Sequence, residues 1–379
     1  MEKSIFYWSP YLGRVATIRS VLNSMIGLSN LKKKKFKVSI INCFGEWNKN
    51  IASLKKNNIE TINLQKKIMF NIDIYGLVLS RFVYFSTFFL TYRKLKNLLI
   101  EKKPDYLIVH LLTFIPFILF YNNKFKTKLI LRISGKPILS FYRFFLWKLM
   151  NRKIHLIFCP TLETKKYLLE KKIFDKKKIQ YLPDPILYDN DIRRRSTKKV
   201  KYKFKKNSYF LSVGRLTKQK NHELLLKALY IYDIQEKLLI IGDGELLSYL
   251  KKLIRNFSLE KKVKIINYQK NIFDYIKRSK AVIIPSLWED PGFVMVEAAY
   301  LKKTIICSDC PSGPKEFITN GKGGYLFKSN SIKSLKKAID RFNKTNKQEI
   351  FQKIKYAKDK CKIYTINNHS KIINNFLFR

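Results

Sequence analysis

A chain of 379 residues has the length of two domains, at roughly 100–200 residues each. Hydrophobic residues make up 46% of it, enough to fill sizeable cores, which excludes a disordered basic tail. The 77 Lys and Arg against 27 Asp and Glu leave a net charge of +50, so the surface attracts polyanions: nucleic acid, an anionic membrane or phosphorylated substrates. A compositional bias toward Lys, Asn and Ile is the plainer source of the same charge.

The opening, MEKSIFYWSP, lacks the long apolar core of a signal peptide. Ser4–Trp8 reads as a short strand, Ser9-Pro10-Tyr11-Leu12-Gly13 as a loop, and Arg14 to Leu28 as a helix. Further strands are expected at Lys37–Cys43, Asp105–Leu111, Lys128–Ile133 and Leu156–Cys159, each trailed by helical periodicity. Tyr106 to Tyr121 is the longest apolar run. It falls short of the about 18 residues a membrane span needs, and His110 and Pro116 interrupt it, so it reads as a buried strand and a helix. His110 ends that strand, a position facing a ligand crevice or a hydrogen-bonded place in the core. Ser140–Arg152 mixes five aromatic residues with Arg143, Lys148 and Arg152. Phe141, Phe144, Phe145 and Lys148 share one helical face, and Phe144, Phe145 and Trp147 are the residues expected to enter a bilayer interface if the helix does not face the core. Arg81–Leu99 has a similar character.

The stretch from Tyr188 to Lys206 is charged, aperiodic and preceded by Pro183-Asp184-Pro185, which marks a linker. A second series of strands follows at Tyr209–Val213, Lys237–Ile241, Val263–Ile266, Ala281–Pro285 and Thr304–Cys307. The alternation of strands and helices argues parallel sheets covered on both faces. After the first of these strands come Gly214, Arg215 and Lys220, the two cations suited to clamping a diphosphate, Arg as a fork and Lys as a point charge. Gly242-Asp243-Gly244 is another turn at a strand end. The richest stretch is AVIIPSLWEDPGFVMVE, residues 281–297. Its strand ends in a loop carrying Glu289, and Gly292 opens a helix holding Glu297 about 7.5 Å further along, at 1.5 Å per residue. The amides of Gly292, Phe293 and Val294 offer a phosphate site at the helix start. Carboxylates on either side repel phosphate but accept hydrogen bonds from sugar hydroxyls. A nucleotide sugar fits this lengthwise, with Glu289 on the sugar, the amides on the diphosphate and Glu297 on the ribose.

Five cysteines make no disulfide framework, which indicates a reducing compartment. Cys307 and Cys310 form a CxxC without the second pair that zinc requires. His110, His155, His222 and His369 are scattered, and Asp189-Asn190-Asp191 reads as a solvated linker turn, so no metal site is expected.

The segments SVGRLTKQKN, IIGDGELLSYL and PSLWEDPGFVMVEAAYLKKTIICSDCPSGPKEFITNGKGGYLF occur in order from about Tyr209 to Phe327. This series resembles the retaining family-4 glycosyltransferases of the GT-B fold, of the bacterial surface-polysaccharide type. YWSPYLGRVAT, PDYLIVHLLT and LILRISGKP extend the likeness more loosely into the N-terminal half. The resemblance implies two Rossmann-like α/β domains facing each other across a deep cleft. It puts an acceptor-binding domain at 1–188, a basic linker at 189–206, a nucleotide-sugar-binding domain at 207–355, and a C-terminal helix at 356–379 packing back on the first domain. It further implies that Glu289 holds donor sugar hydroxyls, Glu297 the ribose, and Arg215 and Lys220 the diphosphate. Gly13 lets the backbone approach the donor, although many members carry two adjacent glycines where this chain has Leu12-Gly13. His110 corresponds to the active-site histidine.

The activity implied is metal-independent transfer of a hexosyl or N-acetylhexosaminyl group from a nucleotide sugar to a lipid-linked or glycan acceptor, with retention of configuration. No cofactor and no nucleic acid partner are expected. The implied location is the cytoplasm, peripheral on the anionic inner membrane. The competing readings are a nucleotide-sugar epimerase of the same shape and a basic nucleic-acid-binding protein.

Overall fold

The computed structural model describes residues 2–11, 16–31, 36–65, 77–188, 192, 195 and 205–378, with backbone alone for 77–85. The chain forms two compact units, Met1–Pro185 with Ile366–Arg379, and Ile186–Thr365.

The first unit alternates β1 (Lys3–Trp8), α1 (Ala16–Ser29), β2 (Phe36–Asn42), α2 (Ile51–Lys56), β3 (Glu60–Asn63), α3 (Leu77–Lys102) and β4 (Tyr106–Val109). It continues with α4 (Phe114–Asn122), β5 (Lys128–Arg132), α5 (Phe141–Met150), β6 (Ile154–Cys159), α6 (Leu162–Lys171) and β7 (Ile179–Tyr181). All seven strands are parallel, in the order β3-β2-β1-β4-β5-β6-β7. Successive residues of β1 enter opposite cores: Phe6 and Trp8 on one face, Ile5 and Tyr7 on the other. This period of two, with helices on both faces, is why the strands read as nearly continuous apolar runs.

The second unit repeats the plan with β8 (Tyr209–Val213), α7 (His222–Ile231), β9 (Lys237–Ile241), α8 (Leu247–Asn256), β10 (Val263–Ile266) and α9 (Phe273–Arg278). Then come β11 (Ala281–Ile284), α10 (Phe293–Tyr300), β12 (Ile305–Ser308), α11 (Pro314–Phe317), β13 (Tyr325–Phe327), α12 (Ile332–Lys344) and α13 (Lys347–Lys360). The order is β10-β9-β8-β11-β12-β13, again all parallel. In both sheets the order reverses beside the first strand, the doubly wound arrangement whose ligands bind beyond the carboxyl ends at the reversal. In the second unit that point lies between β8 and β11, the strands that deliver Gly214–Lys220 and Pro285–Gly292.

The helix expected from residue 356 is two elements. α13 runs on to Lys360 within the second unit, and α14 (Ile366–Leu377) belongs to the first. α14 packs on α1 where Gly27 leaves no side chain; a Cβ there would lie 2.1 Å from Ser370 Oγ. His369 fixes the contact. Its Nδ1 donates to the carbonyl of Pro183 (2.7 Å), which leaves Nε2 to accept from Ser24 Oγ (2.8 Å), and Ser24 Oγ in turn accepts from Tyr7 Oη (2.8 Å). Beside it, Arg132 Nη2 and Ser20 Oγ both donate to Asp184 Oδ1, at 2.5 and 2.7 Å.

Two expectations for α5 are corrected. Trp147 is 6% exposed and packs on Phe174 with ring centroids 5.6 Å apart, and Phe144 is half-buried against the same core. Neither is available for insertion, because the helix turns the 144/147/150 side inward to cover β5 and β6. The outward residues are Phe141, Tyr142, Phe145 and Leu149.

Candidate functional site

The loop after β8 is stitched to the loop after β9. Gly214 N donates to Ile241 O (3.0 Å) and Leu216 N to Asp243 O (2.8 Å). The approach is so close that a Cβ on Gly242 would lie 1.8 Å from Gly214 O. A 3₁₀ turn over Lys218–Lys220 then folds Lys220 back over Gly214, whose absent side chain is replaced by the Lys220 stem; a Cβ there would meet Lys220 Cγ at 3.1 Å. Lys220 Nζ thereby reaches Glu289 Oε1 at 2.5 Å, an ion pair between residues 69 apart in the chain. Adjacent strands β8 and β11 make the meeting possible, since each ends beside the other.

Glu289 is buried, and its Oε1 also accepts from Ser286 Oγ at 2.6 Å. Ser286 is itself held through its carbonyl, which accepts from Ser308 Oγ (2.6 Å) on β12. Gln219 joins the two loops. Its backbone carbonyl accepts from Leu287 N (2.8 Å), its Nε2 donates to Trp288 O (3.0 Å), and its Oε1 accepts from Arg215 Nη2 (3.1 Å). Arg215 is exposed beside this seam, its guanidinium steadied from one side.

The loop after β11 passes a cis Asp290–Pro291 bond to Gly292, whose φ of +96° favours glycine. Gly292 caps α10, and the helical ladder opens with Met295 N and Val296 N donating to Gly292 O. The amides of Gly292, Phe293 and Val294 precede that ladder, at the positive end of the helix. Glu297 lies buried in the second turn. Arg215, Lys220 and Glu289 are thus assembled at the neighbouring ends of β8 and β11, with the 292–297 helix start leading from the loop that carries Glu289. Such a set can hold an anion against Lys220, Arg215 and the helix start, and present carboxylate oxygens to hydroxyl groups.

His222, Cys307 and Cys310, beside the site, are neutral at ordinary pH. Burial, then the charge of Lys220, brings His222 down to about 4, and its Nδ1 shares a hydrogen with Ser212 Oγ at 3.2 Å. Burial pushes the Cys307 thiol well up and Cys310 up to about 12, so this CxxC holds no reactive thiolate. Among the described residues, no group of three His, Cys, Asp or Glu is placed to hold a metal ion.

His110 belongs to the first unit, at the end of β4. Its amide donates to Trp8 O (3.0 Å) and its ring stacks on Tyr7, centroids 5.9 Å apart. Burial first, then Arg132 and His369, hold its pKa well below 6.5, so the imidazole is neutral. Gly13 and Asp189–Asp191 lie outside the described residues. Sequence reasoning passed over Gln219, Ser286 and Ser308. All three lie inside motifs quoted above, but only the fold shows that Gln219 bridges the loops, Ser286 holds Glu289 and Ser308 holds Ser286. It also passed over Glu46, after β2, whose carboxylate accepts from the amides of Cys43 (3.0 Å) and Phe44 (2.9 Å) and whose pKa burial raises to about 7.

Two parallel Rossmann-like α/β domains with this strand order define a GT-B fold. Residues 193–360 match the family Glycosyl transferases group 1. The chain is 31% identical over 251 residues to an uncharacterized glycosyltransferase of Methanocaldococcus jannaschii, covering 60% of this chain and 61% of that one. It is 30% identical over 169 residues to the N-acetylgalactosamine-N,N'-diacetylbacillosaminyl-diphospho-undecaprenol 4-alpha-N-acetylgalactosaminyltransferase of Campylobacter jejuni, covering 41% and 46%. The matched segments therefore span less than two thirds of these relatives' own lengths. In three dimensions the chain is similar to the Anabaena protein Alr3699/HepE, solved in complex with UDP and glucose, with a TM-score of 0.72 at 15% identity over 99% of both chains.

Proposed function

We propose that the protein is a metal-independent, retaining glycosyltransferase of family 4 that moves a hexosyl or N-acetylhexosaminyl group from a nucleotide sugar to a lipid-linked glycan acceptor, in bacterial surface polysaccharide or lipopolysaccharide synthesis. The observation that carries the reading is the Lys220–Glu289–Ser286 cluster at the β8/β11 reversal, beside the start of α10. A diphosphate at the helix start gives Lys220 a second anion to neutralise. Glu289, still held by Ser286, then accepts from the donor sugar's hydroxyls, and Glu297 from the ribose. As the bond from the anomeric carbon to the diphosphate oxygen breaks, charge builds on the leaving group, where Arg215 and Lys220 stabilise it. The acceptor hydroxyl forms the new bond on the face the diphosphate leaves, and its proton passes to the departing diphosphate oxygen. The second unit takes the donor in this reading. The first takes the acceptor, with a neutral His110 as its hydrogen-bonding group, and Gly13 keeps the donor-approach role that the resemblance implies.

The Campylobacter relative, named for a diphospho-undecaprenol substrate, supports a lipid-linked acceptor. The Anabaena complex supports a uridine diphosphate donor. Such an acceptor places the enzyme peripherally on the cytoplasmic face of the inner membrane, with no nucleic acid partner. No helix among the described residues is long and apolar enough to cross a membrane.

A thermal-shift series over nucleotides and nucleotide sugars tests the reading. A bound ligand at about 100 times its Kd adds roughly 2.7 kcal/mol. Stabilisation by none of them removes the proposal, and an epimerised donor appearing without acceptor turns it to the epimerase alternative.

A further inference from the structure

The outer side of α5 carries a patch that neither core uses. Phe141 and Tyr142 are 72% and 84% exposed, and Phe145 and Leu149 follow one and two turns further on, each about half exposed. The Phe141 and Phe145 rings pack on each other in the open, centroids 4.5 Å apart. Ile138, in the lead-in to the helix, is 85% exposed, and its carbonyl accepts from Arg143 Nη1 at 2.7 Å, which ties that segment to the helix start. Phe145 and Leu149 descend into a groove of about 690 Å³ between α5 and the end of α6, where Lys148, Arg152, Lys172 and Lys176 stand at the lining. All four cations are exposed. The acid in the lining, Asp175, is engaged by Asn151 Nδ2 (3.0 Å) and Lys178 (3.2 Å). Residues 136–178 hold 12 Lys and Arg against three Asp and Glu, a local net charge of +9.

We infer that this face of the first unit docks on an anionic phospholipid bilayer. The aromatic stripe lies at acyl-boundary depth, and the cationic groove takes a lipid phosphate with the upper part of its chains. Two features choose a bilayer over a protein partner. The exposed apolar residues form a stripe along one helix with cations flanking it, the pattern of an interfacial helix. The cations are long, exposed side chains able to reach a plane of phosphates. The inference rests on the lipid-linked acceptor reading for its purpose, but its test does not depend on that reading.

The experiment is co-sedimentation of the full chain with vesicles of phosphatidylcholine alone and of phosphatidylcholine mixed with phosphatidylglycerol, at low and high salt. The chains compared are wild type, Phe141→Ser with Phe145→Ser, and Lys172→Ala with Lys176→Ala. All four substituted positions are at the surface or groove rim, so the fold is kept, and equal melting temperatures check this. Wild type is expected on the anionic vesicles, with part of the binding surviving high salt because apolar insertion is not screened. The aromatic variant is expected to bind about tenfold or more weakly, and what remains should vanish in salt. The lysine variant is expected to weaken chiefly at low salt. An aromatic variant that binds as wild type does at both salts overturns the inference. So does a wild type whose self-association, rather than vesicle binding, is lost with the aromatic residues. Stabilisation by nucleotide, measured on the same chains without vesicles, reports separately on the proposed activity: its absence in all of them sinks that reading and leaves the docking result standing.

Discussion

At the residue scale the governing feature is that Lys220 and Glu289 neutralise one another. Replacing either alone leaves the other partly buried without its partner, so the two are coupled. Glu289→Gln releases Lys220 for a diphosphate. It should therefore leave nucleoside diphosphate binding equal or tighter while weakening the sugar-bearing donor, and titration calorimetry with both ligands checks the split. Equal losses for both ligands would contradict the assignment of Glu289 to the sugar. Arg215 is exposed, so Arg215→Ala should lower kcat about 10²–10³-fold with little change in melting temperature. Buried titratable groups predict the pH response. His110, His222 and His369 are all held neutral, the last two down to about 4 and about 3. The unfolded chain takes up protons below about 6.5 and the folded chain does not, so stability falls as pH drops through that value. Glu46 acts oppositely: raised to about 7, it binds its proton in the folded state first and adds stability as pH falls toward 4.5. Between about pH 7.5 and 5.5 His222 and His369 together cost about 3 kcal/mol and Glu46 returns about 2, a net loss of about 1 kcal/mol, to which His110 adds in the same direction. Glu46→Gln should enlarge that loss by about 2 kcal/mol in denaturant titrations at the two pH values.

At the element scale, glycines decide which elements approach. Gly27→Ala improves intrinsic helix propensity by about 1 kcal/mol. Yet the added methyl meets Ser370 Oγ and Ile366 Cγ2, at 2.1 and 2.6 Å, with α14 held against α1 by His369. Overpacking of this kind costs typically about 1–3 kcal/mol, so the variant should be less stable, and equal or greater stability in urea would show that α14 docks loosely. Gly214→Ala acts on function instead. Its methyl displaces the Lys220 stem, which is flexible, so donor affinity should fall while the fold survives. The strands that sequence periodicity missed are β3, β7 and β13, of four, three and three residues. All three are sheet edges, too short or too half-exposed to show an apolar run.

At the scale of the molecule, two sheets of one strand order place two reversal points at carboxyl ends, and the loops rich in Gly, Lys and Glu are the ones that issue there. The charge of +50 is spread along the whole chain instead of being gathered into a recognised nucleic-acid motif. Binding to duplex DNA should accordingly be of the non-specific kind, falling steeply between about 50 and 200 mM salt, as gel shifts across that range would register. Tight binding at the upper salt would favour the nucleic-acid alternative.

The sequence by itself determined the fold class, ten or so of the strands, and the membership of Arg215, Lys220, Glu289 and Glu297 in strand-end loops and a helix start. Apolar runs between turn residues are local signals, and local signals survive in one dimension. Tertiary structure alone decided that Lys220 pairs with Glu289, because the pairing depends on β8 and β11 being neighbours across 69 residues of chain. It alone showed that Gln219 and Ser286 hold the site, since their partners are backbone and side-chain groups brought in by other strands. It also divided the aromatic residues of α5 between core and solvent. Phe144 and Phe145 are adjacent and chemically identical, and only the position of β5 and β6 beneath the helix sends one inward and the other out.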